Sequence, residues 1–132
     1  MKGTLNHVEV HVSKPDETIP FYRELLLHLG WQVVSEWPGG LGVSDGNASL
    51  WFFPTPEELR AAGFNRDATG MAHIGIRVDS REEVDAFVSD YLQPHGLAPQ
   101  FETPRAREDF GPTYYQVMFV DPEGLAIEVF TS

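Results

Sequence analysis

Leu5-Asn6-His7-Val8-Glu9-Val10-His11-Val12 recurs as Met71-Ala72-His73-Ile74-Gly75-Ile76-Arg77-Val78, at a constant offset of 66 positions. The register then holds without a gap, with Phe21 falling on Phe87, Leu26 on Leu92 and Gly30 on Gly96. Agreement through a strand and the segment after it means two copies of one module, and it places function where the copies meet. In the first copy Val8, Val10 and Val12 alternate with His7, Glu9 and His11. A period of two sends one set of side chains to a core and the other set to the opposite face. In the second copy Ile74, Ile76 and Val78 are the set for burial, which leaves His73, Gly75 and Arg77 opposite.

Outward from these strands the periodicity becomes helical. Ser13-Lys14-Pro15-Asp16 opens a helix carrying Ile19, Tyr22, Leu25, Leu26 and Leu29 and stopped by Gly30, with Pro20 early enough to be tolerated. Short strands over 31–34, 41–43 and 48–53, broken by Pro38-Gly39-Gly40 and Asp45-Gly46-Asn47, complete a βαβββ module. Thr55-Pro56-Glu57-Glu58 predicts a connector helix to about Ala62, with Thr55 as N-cap, proline at the first helical position and a capping-box glutamate. The second copy repeats the order: a strand over 71–78, a helix opened by Ser80-Arg81-Glu82-Glu83 that stops near Pro94, and strands around Phe101, over 115–120 and over 125–130. Asp121-Pro122-Glu123-Gly124 turns the last hairpin. The expected class is α+β, two tandem βαβββ modules forming a curved mixed-sheet cup. Residues 1–132 form one expected domain, with module one at about 1–54, a connector at 55–69 and module two at about 70–132.

Composition narrows the partners. Twenty acidic against 9 basic residues give a net charge of −11, which repels phosphate backbones and anionic lipid, so neither nucleic acid nor membrane is expected. The absence of cysteine removes disulfides, thiolate nucleophiles and cysteine-based zinc sites. The N-terminal stretch turns polar too soon for a signal peptide, and no apolar run approaches the roughly 20 residues of a membrane span. A cytoplasmic protein is the expectation.

The chemistry-bearing residues collect on the faces opposite the core. In the last strand Ile127 and Val129 are the buried pair and Glu128 opposes them, so His7, His73 and Glu128 all lie on non-core faces. Where two such sheets curl toward each other these faces line a cavity. Two imidazoles and one carboxylate are a set that binds Zn²⁺, Ni²⁺, Mn²⁺ or Fe²⁺. Ligands on strands so far apart in sequence carry no local signature, and their case rests on the repeat that relates them.

These residues resemble the vicinal oxygen chelate superfamily, which includes glyoxalase I, fosfomycin-resistance thiol transferases, extradiol dioxygenases and bleomycin-binding proteins. The resemblance covers essentially the whole chain. It rests on the two repeated strands, on Phe21-Tyr22-Arg23-Glu24-Leu25-Leu26, and above all on Asp121-Pro122-Glu123-Gly124-Leu125-Ala126-Ile127-Glu128. That last stretch matches the turn and strand on which the family carries its ligand glutamate. The resemblance implies His7, His73 and Glu128 as ligands of one divalent metal per chain, and a homodimer that pairs modules into two cups.

Two departures separate the chain from particular subclasses. Glyoxalase I takes a fourth ligand from the last strand of its first module, where Leu50-Trp51-Phe52 here puts Trp51. Extradiol dioxygenases and fosfomycin transferases carry a tyrosine ten positions before the glutamate, where this chain has Met118. Three protein ligands leave about three positions of an octahedral ion for a bidentate small-molecule substrate and a water. Lyase or isomerase chemistry through an enolate then follows, with Glu128, Glu9 and His11 as the candidate catalytic groups, Glu9 and His11 in the part of base or orienter. Candidate substrate contacts are Trp51, Phe53 and Met118 as an apolar wall, Arg105 (with Arg107 beside it), in the loop Thr103-Pro104-Arg105-Ala106-Arg107-Glu108-Asp109, for a carboxylate or phosphate, and Arg77 and Tyr115. The alternatives are a metal-free, bleomycin-sequestering type of binding protein, in which Trp51 and other aromatics stack a planar ligand, and an extradiol-type dioxygenase.

Overall fold

Strict alternation produces the first strand, β1 (His7–Val12), in which Val12 is buried and His7, Glu9 and His11 are exposed. The structure is a computed structural model describing all residues, Met1–Ser132, and it divides into two compact units, Met1–Phe64 and Asn65–Ser132. The division falls inside the expected connector.

In the first unit β1 leads into α1 (Pro15–His28), with Pro15 at the start of the helix, where its missing N–H has no intrahelical partner to lose. Thr18, Tyr22, Leu25 and Leu26 form its buried stripe, and Gly30, at φ 85°, supplies the left-handed residue that ends it. The sheet runs β1-β4-β3-β2, with β2 at Gln32–Trp37, β3 at Gly40–Ser44 and β4 at Ser49–Pro54. β1 pairs with β4 in parallel and the other pairs are antiparallel, so the sheet is mixed. Asp45 turns β3 into β4, its Oδ1 accepting from the backbone N–H of Asn47 and of Ala48 at 2.8 Å each. Tyr22 of the helix stacks on Phe52 with ring centroids 4.3 Å apart, which fixes the helix over the core face of the sheet.

The second unit repeats the order. Its strands are β5 (His73–Arg77), β6 (Gln100–Ala106), β7 (Tyr115–Val120) and β8 (Ala126–Thr131), arranged β5-β8-β7-β6, with β5 and β8 parallel. Helix α2 (Arg81–Phe87) continues as a π-helical turn, Val88–Leu92. Ser80 caps it by accepting from the Glu83 N–H at 3.2 Å, while the Glu83 carboxylate reaches back to the Asp79 N–H at 2.8 Å, the reciprocal pattern read from the sequence. Val84, Leu92, Val117, Phe119, Ile127 and Val129 are completely buried and form the core.

Two βαβββ modules and an α+β class are therefore present as expected, with three local differences. The connector is a 3₁₀ helix, Glu57–Ala62, in which Thr55 is no cap: Pro56 stands at that position without a side-chain bond, and Arg60 Nε donates to the Thr55 carbonyl at 2.7 Å. β2 runs on to Trp37 instead of ending near Val34. Arg105 lies within β6 and not in a loop, because the strand resumes pairing after a register shift between Gln100 and Arg105. No helix is long and apolar enough to cross a membrane.

Candidate functional site

Register decides which side chains share a face. In module one His7 pairs with Ser49, Glu9 with Trp51 and His11 with Phe53, so these six residues occupy the face of the sheet away from α1. His7 Nδ1 lies 2.8 Å from Oδ1 of Asn6. With that oxygen as acceptor, Nδ1 carries the proton and Nε2 keeps its lone pair, the arrangement that metal-binding histidines adopt. Asn6 had no role in the reading of the sequence.

The same face holds a third aromatic that pattern alone did not single out. Trp37 lies against Gly40 so closely that a β-carbon there would overlap its indole, and a β-carbon on Gly42 would stand 2.7 Å from the Trp51 ring. Two glycines two residues apart in one strand let two indoles lie on the backbone. That spacing, Gly40 and Gly42 after Trp37, was the available signal. Trp37 sits 6.1 Å from Trp51 and 5.2 Å from Phe53, centroid to centroid, and His11 stands 6.5 Å from Phe53. The result is an aromatic floor flanked by Glu9 and His7.

In module two the corresponding face carries His73, Gly75 and Arg77 from β5, with Glu128 and Phe130 from β8 beside them. His73 Nε2 stands 3.5 Å from Glu128 Oε2. Glu128 is buried, and its other oxygen, Oε1, accepts from the Tyr114 hydroxyl at 2.7 Å. Burial, then the hydrogen bond to Glu128 and its negative charge, raise the Tyr114 phenol well above its ordinary value, so it remains a donor. Gly75 faces Glu128 across the strand pair, and a β-carbon there would come within 3.5 Å of Oε2.

Comparing the two registers places Trp51 in module one where Glu128 stands in module two: each lies on the strand parallel to the histidine-bearing strand, two residues beyond the partner of its histidine. Glu9 occupies the place that Gly75 holds in module two.

The remaining candidates divide. Met118 pairs with Glu128 and shares its face, and Arg105 pairs with Gln116 in the row that contains Phe130 and Arg77. Arg105 touches Glu102 at 3.4 Å and its buried Nε has no hydrogen-bond partner. Arg107 donates from Nε and Nη2 to the two carboxylate oxygens of Asp109, at 2.9 and 2.7 Å, which raises its pKa, and it lies over the Phe110 ring. Tyr115 is the correction: it pairs with Thr131 on the core side, and its hydroxyl donates to Asp85 of α2 at 2.7 Å. Its neighbour Tyr114 is the tyrosine that meets the site.

No group of three His, Cys, Asp or Glu side chains is assembled for a metal. Within module two the donors fit a divalent cation through their chemistry, an imidazole facing a buried carboxylate whose other oxygen is held by Tyr114. In module one, His7 offers a second imidazole on its own sheet.

The model of the Glyoxalase/Bleomycin resistance protein/Dioxygenase superfamily matches residues 4–129. A presumed glyoxalase from Bacillus halodurans has a TM-score of 0.87 and 30% identity, covering 99% of this chain and 97% of that one. Lactoylglutathione lyase from Agrobacterium tumefaciens shares the fold at a TM-score of 0.69 and 22% identity, covering 99% and 95%. The uncharacterised protein YqjT of Bacillus subtilis is 23% identical over 127 residues, 95% of this chain and 96% of that protein.

Proposed function

Because the chain belongs to the Glyoxalase/Bleomycin resistance protein/Dioxygenase superfamily, we propose that it is a divalent-metal-dependent enzyme acting on a small vicinally oxygenated metabolite, by lyase or isomerase chemistry through an enolate. The observation that carries this reading is the His73 and Glu128 pair, Nε2 to Oε2 at 3.5 Å, with the carboxylate buried. Removing a charged carboxylate from water costs several kcal/mol, on the order of the effective penalty for a buried ion, and a cation beside it offsets that cost.

His7, His73 and Glu128 are the ligands in this proposal, His7 on the strength of its equivalent strand position and its Asn6 bond. A cation held by this set supplies Lewis acidity for enolate formation and has room for two neighbouring oxygens of a substrate. On the face of His7, Glu9 and His11 act as base or orienter for the adjacent proton. Trp51, Phe53 and Met118 exclude water from the bound metabolite, and Arg77 and Arg105 meet its anionic substituents. The proposed assembly is a homodimer in the cytoplasm.

A second reading is favoured by the floor of Trp37, Trp51 and Phe53: a metal-free protein that stacks a planar ligand. Metal content separates the two. Untagged protein grown in metal-supplemented medium is expected to hold about one divalent ion per chain, and His73→Ala to lose it. Wild-type protein that emerges empty overturns the enzyme reading in favour of the binding protein.

A further inference from the structure

Glu128 has two oxygens with different surroundings. Oε1 accepts from Tyr114 at 2.7 Å, and Oε2 lies toward His73 at 3.5 Å. Tyr114 is itself fixed from two sides. Its ring stacks on Phe130 at 5.1 Å with 15° between the planes, and Phe110 packs edge-on at 5.3 Å. Phe130 stands two residues after Glu128 on β8, so the ring on which the phenol stacks and the carboxylate it addresses belong to one strand face.

We propose that Tyr114 is a positioning residue that occupies one oxygen of Glu128 and so presents the carboxylate to a cation through Oε2 alone. This rests on the metal-dependent reading above and names a residue that it did not include. A carboxylate free to turn can bind a cation through both oxygens and take up two coordination positions. Held by the phenol, Glu128 takes one, and the second stays open for a substrate oxygen. The phenol also fixes the carboxylate before the ion arrives, and partners of this kind are typically worth about 10- to 100-fold in metal affinity. Tyr114 does not touch the reacting atoms in this account; it acts through Glu128.

The test uses the full chain and Co²⁺ as probe. Tyr114→Phe keeps the ring and its stacking, so the metal-free protein is expected to melt with the wild type. The Co²⁺ affinity, measured by competition with a chromophoric chelator, is expected to fall by about tenfold or more. The visible d–d bands are expected to weaken as the freed carboxylate adds a second oxygen to the ion. Glu128→Asp supplies an independent arm, because its shorter side chain gives up the phenol. In that background Tyr114→Phe should cost little further, so the two losses should not add. Equal affinity and an unchanged spectrum in Tyr114→Phe, or losses that add fully, would overturn the proposal while leaving the metal-dependent reading intact. A wild-type chain that takes up no Co²⁺ removes both. Should Tyr114→Phe melt early, the coupling between the two variants still decides.

Discussion

Gly42 lies beneath the indole of Trp51, close enough that a β-carbon would stand 2.7 Å from the ring. The glycine is therefore needed for the position of the tryptophan, not for a turn. Gly42→Ala is expected to tilt Trp51 off the sheet into solvent. Because the ring is only half-buried and can move outward, the cost should lie at the low end for overpacking, about 1 kcal/mol. Tryptophan emission should move to the red and the melting temperature should fall by a few degrees. A variant with unchanged emission would show that the ring does not rest on this strand.

Tyr115 and Tyr114 are consecutive yet serve opposite faces, and one substitution at each tells them apart. Tyr115→Phe removes the hydroxyl that donates to Asp85 and is expected to cost about 1 kcal/mol of stability, the usual net worth of such a bond, with metal affinity unchanged. Burial and the Asp85 bond raise the Tyr115 phenol above 10.0. A group whose folded pKa is raised contributes its stability fully below the unfolded pKa and loses it as pH rises through the folded one. The gap between wild type and Tyr115→Phe should therefore be constant through neutral pH and close only above about pH 10. Chemical denaturation across that range is the measurement, and a gap that closes near neutrality would mean that another group carries the effect.

The two tyrosines also mark where sequence reading stops. The repeated strands were legible because alternation has a period of two and was printed twice, from His7 to Val12 and from His73 to Arg77. The faces of His7, His73 and Glu128 followed from the same alternation. Tyr115 did not, since its face depends on pairing with Thr131, and a shift of one residue reverses every side chain of a strand. Tyr114 was out of reach because it precedes β7 and finds Glu128 through its ring stack on Phe130. Trp37 was hidden for another reason: the strand was read as ending near Val34, which left it outside any face. The Thr55 cap failed because a capping box presumes an α-helical first turn, and the connector is 3₁₀.

The register equivalence of Trp51 and Glu128 yields the last prediction. In module two the carboxylate stands on the strand parallel to that of His73; in module one the same place, beside His7, is filled by an indole that cannot ligate. Trp51→Glu puts a carboxylate there, on a side chain whose strand partner is Glu9. Two effects then compete. A fourth ligand, an oxygen, strengthens the hold on a divalent ion, whereas two carboxylates opposite each other repel until a cation lies between them. The metal-free variant should thus be less stable than wild type, and the loaded one should recover that loss. Metal should also bind more tightly, by tenfold or more on the order of a ligand's contribution. Isothermal titration with Zn²⁺, together with melting curves in chelator and in excess ion, reads both effects. If affinity stays at the wild-type level while the metal-free protein is destabilised, the new carboxylate is on the sheet but away from the ion, and His7 would then have to be removed from the ligand set.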